Sequence, residues 1–153
     1  MIRGISFKVS QTFSGRILFD ILNFFDLEDY VWYNVKDQSE TWANMQGDEF
    51  LNMNTYSGTE FKNLVLQPHY IVFVKLQAYF YDHNFYNIKN YTEFCQSDCQ
   101  LLILVSDCDY IEIYVKDDKL AKNFYEFIVD NKSYIDVTYI TDLNDTRTNL
   151  NVL

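Results

Sequence analysis

Residues Cys99 to Lys116 read CQLLILVSDCDYIEIYVK, and their pattern decides the fold. Leu101 to Val105 is an unbroken apolar run, which suits a strand buried on both faces. Tyr110 to Lys116 alternates instead: Ile111, Ile113 and Val115 fall on one side, Tyr110, Glu112, Tyr114 and Lys116 on the other. The polar Ser106–Asp109 segment between them is short enough to close an antiparallel hairpin. The sequence therefore predicts this hairpin as the middle of a sheet, with the rest of the chain packed around it.

Outward from the hairpin, the same periodicities assign the other elements. Ile5, Phe7 and Val9 alternate in a first strand over 4–9. Ile17, Leu18, Ile21, Leu22 and Phe25 share one face of a helix over 14–25, with Thr12 or Ser14 as its cap. Residues 30–35 read as a strand with Trp32 and Asn34 on one face. Residues 36–56 read as a loop with a short strand near 49–52. Ser57-Gly58-Thr59-Glu60 matches a capping box, and Pro68 stops the helix that follows it. Residues 69–80 form a long strand whose even positions face the core. Its odd positions, Lys75, Gln77 and Tyr79 among them, are expected outside. Asn90 and Glu93 suit a capping box for a short helix to Gln96, Asp117 or Asp118 caps a helix to about Asp130, and 134–140 is the last strand. No linker or repeat divides the 153 residues, so one domain spans the chain. The predicted class is α+β: a single, mainly antiparallel (mixed) twisted sheet with helices packed on one face. The last strand–helix–strand unit can supply one parallel crossover.

Acidic residues number 22 and basic ones 12, a net charge of -10 that repels phosphate backbones and anionic membranes. That argues against nucleic acid and membrane as partners and permits a basic protein partner; solubility alone also explains it. Tyr and Phe, 13 each, are in excess, an enrichment that an AT-rich genome would also produce. Three cysteines, an odd count, with no apolar leader in MIRGISFKVSQ, lead to an expectation of reduced thiols in the cytoplasm. No apolar run approaches the ~20 residues that span a bilayer.

Four scattered glycines build no phosphate-cradling loop, and no serine sits in a nucleophile elbow. Cys95 and Cys99, four apart, lack a zinc pattern and read as half-buried core residues. His69 and His83 border strand ends and read as surface groups. No metal and no cofactor is expected. Carboxylates at Asp107 and Asp109, and at Asp142 and Asp145 beside Arg147, could hold a divalent ion or act as acid and base; a turn with Arg147 neutralising local charge is the favoured reading of the latter group. If helices cover only one sheet face, Trp32, Tyr79, Tyr110, Glu112 and Tyr114 lie on the other. Large amphipathic rings flanked by acid suit protein contact; a half-buried aromatic layer closed by the 36–56 loop is the alternative.

The strings Arg3-Gly4-Ile5-Ser6-Phe7, Tyr56-Ser57-Gly58-Thr59-Glu60-Phe61, Ser97-Asp98-Cys99-Gln100, Tyr110-Ile111-Glu112-Ile113-Tyr114 and Ile140-Thr141-Asp142-Leu143-Asn144-Asp145-Thr146-Arg147-Thr148 run nearly the whole chain. In the order of these strings the chain resembles a domain-of-unknown-function family of small proteins of Gram-positive bacteria. The resemblance implies a bacterial cytosolic protein about one domain long, and no activity, substrate or catalytic residue. The functional expectation is a non-catalytic acidic binding module, similar in physical type to immunity or inhibitor proteins that cover a basic partner. The alternative is a small metal-assisted enzyme using Asp142, Asp145 and Arg147.

Overall fold

The structure, a computed structural model, describes residues 1–10 and 14–153. The central hairpin forms as the sequence requires: β6 (Cys99–Ser106) pairs with β7 (Tyr110–Val115) in register from Leu101–Val115 to Ser106–Tyr110. Around it lie β1 (Ile2–Val9), β2 (Val31–Asn34), β3 (Glu40–Trp42), β4 (Thr55–Tyr56), β5 (Tyr70–Tyr79) and β8 (Tyr134–Thr141). The order across the sheet is β4-β2-β5-β6-β7-β1-β8, and β3 pairs with β5 beyond the end of β2. Every pairing among the described residues is antiparallel. β7 and β8 run parallel to each other, but β1 lies between them, so the crossover through the last helix never becomes a parallel ladder.

Cross-strand rows define the two faces. Leu76, Ile103, Ile113 and Ile5 are successive partners, as are Val74, Val105, Ile111 and Phe7, and both rows lie in the main apolar core. Three helices bring the opposing side chains: α1 (Ile17–Leu22), α2 (Gly58–Val65) and α4 (Asp118–Val129). The cap signals explain two of their starts. Ser57 Oγ accepts from Glu60 N at 3.1 Å while Glu60 Oε1 accepts from Ser57 N at 2.9 Å, a complete capping box. Asp117 Oδ1 accepts from Leu120 N at 2.9 Å. Helix α1 is shorter than its periodicity implied; Ser14 Oγ accepts from Arg16 N just ahead of it, and Thr12 lies outside the described residues. The strand expected near 49–52 is instead β3, with a single bridge from Trp42 to Glu49.

The fourth helix, α3 (Tyr91–Gln96), departs from the expected one-sided cover: Phe94 packs on the opposite face, in a second cluster with Leu102, Leu104 and Tyr114. Asn90 Oδ1 accepts from Glu93 N at 2.9 Å, one half of the expected capping box; Glu93 Oε2 accepts from Lys89 N at 2.7 Å and does not close the other half. No helix among the described residues is long and apolar enough to cross a membrane.

Candidate partner-binding groove and the closed second face

The expected open aromatic face is not there, and this corrects the placement of most of its residues. Tyr79, Glu112 and Tyr114 do share the face opposite the three-helix core, yet Tyr114 is wholly buried, Tyr79 is 1% exposed and Glu112 7%. Two covers close it, neither of them the 36–56 loop: a strap over 80–98 that contains α3, and the tail after β8. Gln77 pins the strap by accepting from Ile88 N at 2.9 Å and donating to Tyr86 O at 2.9 Å; its Nε2 also donates to Tyr79 Oη. Tyr91 and Phe94 then pack on the Tyr114 ring. Leu150 N donates to Lys89 O at 2.8 Å, which joins tail to strap. Trp32 belongs to the other face: its partner in β5 is Ala78, its ring stacks on Phe61 at 4.2 Å, and Nε1 donates to Leu27 O. Tyr110 alone of the five stays half-exposed, with Ser6 Oγ donating to its hydroxyl.

The carboxylates of the alternative reading are divided. Asp142 takes the terminal amine of Met1 at 2.9 Å and is half-exposed. Asp145 is buried, accepting from Arg3 at 3.2 Å and from the Tyr114 hydroxyl at 3.0 Å; burial first, then Asp145 and Glu112, push that phenol far above its ordinary value. Arg147 donates Nε at 2.7 Å and Nη2 at 2.6 Å to Glu112 Oε1. Asp145 and Arg147 do line one small polar hollow of about 170 Å³ with Ser6, Tyr110 and Glu112, but neither Asp142 nor Asp107 reaches it. These charges satisfy one another, the turn-and-neutralisation arrangement the sequence also allowed. No group of three His, Cys, Asp or Glu placed to hold a metal occurs among the described residues. His83 is exposed, whereas His69 is buried, against the expectation of a surface group; Cys95 is exposed and Cys99 buried.

What the sequence reading missed is a groove at the hairpin end of the sheet, about 550 Å³, whose walls are almost wholly apolar. The β6–β7 turn builds one wall. Asp107 and Cys108 take positive φ, 52° and 74°, and Cys108 N donates to Val72 O at 3.0 Å, which ties the turn to β5. Trp42 from the end of β3, Met45 beyond it, Tyr70 and Val72 from β5, Ile17 of α1 and His69 also line it. Trp42 is 38% exposed, Tyr70 53% and Met45 75%. His69 is locked in place: its ring stacks on Phe50, Nδ1 donates to Gln67 O, and Nε2 accepts from Leu18 N. Burial keeps it below its ordinary value, so the neutral ring is the form that fits.

The rim is acidic. Asp109 lines the groove, and partial burial followed by the carboxylates of Asp109, Asp107 and Glu40 raises the Cys108 thiol from its ordinary value. None of those three carboxylates takes part in an ion pair among the described residues. An apolar trough edged by unpaired negative charge suits a segment with apolar anchors and basic flanks. The only hint in sequence is that Trp42 and Met45 are large apolar residues in polar surroundings, a pattern that single exposed side chains produce equally often.

A family model described as protein of unknown function (DUF2691) matches residues 2–151. An uncharacterised protein of Bacillus subtilis (strain 168), YncE, is 33% identical over 158 residues, covering 99% of this chain and 100% of that protein. No solved structure matches.

Proposed function

We propose a function from the surface alone, because the chain belongs to the DUF2691 family, whose function is unknown: it is a non-catalytic acidic module that binds a basic protein segment in the hairpin-end groove. The carrying observation is the pairing of apolar walls with the carboxylates of Glu40, Asp107 and Asp109, which form no ion pair among the described residues. The net charge of -10 speeds encounter with a basic partner, and the groove supplies the short-range contact. In its most specific form the module is immunity- or inhibitor-like, occluding a basic surface. Three unbridged thiols support the reducing cytoplasm as its setting.

Fluorescence anisotropy with a labelled peptide of Leu and Phe anchors flanked by lysines tests this, beside its glutamate-flanked counterpart. The lysine peptide binds at least tenfold more tightly, loses affinity as salt rises, and weakens about tenfold on Asp107→Asn with Asp109→Asn, or on Tyr70→Ala. Equal affinity for the two peptides, or binding unaffected by these variants, refutes the assignment.

A further inference from the structure

Lys75 lies mid-strand in β5 with no exposed surface. Its side chain is on the strap face, beside Leu104 of β6 and two residues from Gln77. Its Nζ donates to the Ile88 carbonyl oxygen, the one hydrogen bond it makes among the described residues. An ammonium has three N–H donors, of which this arrangement pairs one, whereas a neutral amine has fewer to satisfy. Charged and titratable groups face it from every side: the Cys99 thiol of β6, Arg147 of the tail, Asp37 of the turn after β2, and Glu93 of α3. None of them neutralises an ammonium well. Burial pushes the Cys99 thiol up to about 12, so it stays protonated. Arg147 is itself positive and paired with Glu112. Glu93 accepts from Lys89 N, and Asp37 is solvated.

We infer that Lys75 is a proton-operated latch: taking up a proton loosens the 80–98 strap, and losing it fastens the strap over the second face. Lys75 and Gln77 together grip residues 86–88, so the amine sits at the strap's point of attachment. The inference does not rest on the groove. Burial lowers Lys75 from its ordinary 10.5 to about 8, and lifting the strap returns it to water. Opening therefore takes up protons between those values and becomes harder as pH rises through them; from pH 7 to pH 9 the opening equilibrium falls about tenfold.

Amide hydrogen exchange, corrected for intrinsic rates, reads this directly on peptides from 80–98, with α4 as control. The strap of the native chain opens about tenfold less at pH 9 than at pH 7, and Lys75→Met removes that difference. An unchanged strap in the native chain, or a pH difference that survives Lys75→Met, overturns the latch. Should that variant not fold, NMR titration of the Lys75 side chain decides: titration near 8 with matching shifts at Ile88 supports the latch, and titration at 10.5 overturns it.

Discussion

Gly4 sits where β1 passes between β7 and β8, opposite Tyr114 on one side and Ile140 on the other. A Cβ there would overlap the Ile113 carbonyl oxygen and crowd Tyr114 Cα. The position requires glycine for close backbone approach, not for an unusual φ. Gly4→Ala should lower unfolding free energy by about 3 kcal/mol, because the neighbour is ladder backbone and cannot step aside; urea denaturation of the two proteins checks it. A loss under ~0.5 kcal/mol would mean the strands have room to part. The residue scale also shows where sequence reading ends. Leu101 to Val105 announced their burial by being contiguous. Lys75, Gln77 and Glu112 did not, since each is polar and is buried only because a distant segment brings its partner: Ile88 for the first two, Arg147 for the third.

At the scale of elements, the legible pieces were those specified locally. The hairpin, the Ser57–Glu60 capping box and the Asp117 cap rest on residues within a few positions of one another, and all three stand where their patterns put them. The helix inside the strap was legible from its Asn90 cap, but the placement of strap and tail was not, because it is fixed by contacts across the sheet. The tail is held by the Arg147–Glu112 pair, with side chains 22% and 9% exposed, and by buried Leu150. Arg147→Ala strands a buried carboxylate and should cost about 3 kcal/mol, whereas Arg147→Met with Glu112→Leu should recover most of it, because replacing both partners removes the desolvated charge. Thermal unfolding of the single and double variants measures this. Equal losses in both would mean that the pair contributes packing alone.

At the scale of the whole molecule, both sheet faces are covered, so the aromatic excess serves chiefly as filling. Phe24, Phe25, Phe124 and Phe127 pack ring against ring at one end of the core, and Tyr79, Phe94 and Tyr114 fill the second cluster. Among the described residues, the covers leave open the hairpin end, where β3, β5 and the β6–β7 turn frame the groove and Glu40, Asp107 and Asp109 form no ion pair. The most direct measurement of that claim is a map of backbone and Trp Nε1–H NMR shifts as the lysine-flanked apolar peptide is titrated in. The account predicts shifts concentrated at Trp42, Met45, Tyr70, Val72, Cys108 and Asp109, reversed by salt and absent with the glutamate-flanked peptide. Shifts spread over the acidic surface, or centred on the Asp145–Arg147 hollow while the groove stays silent, would contradict it.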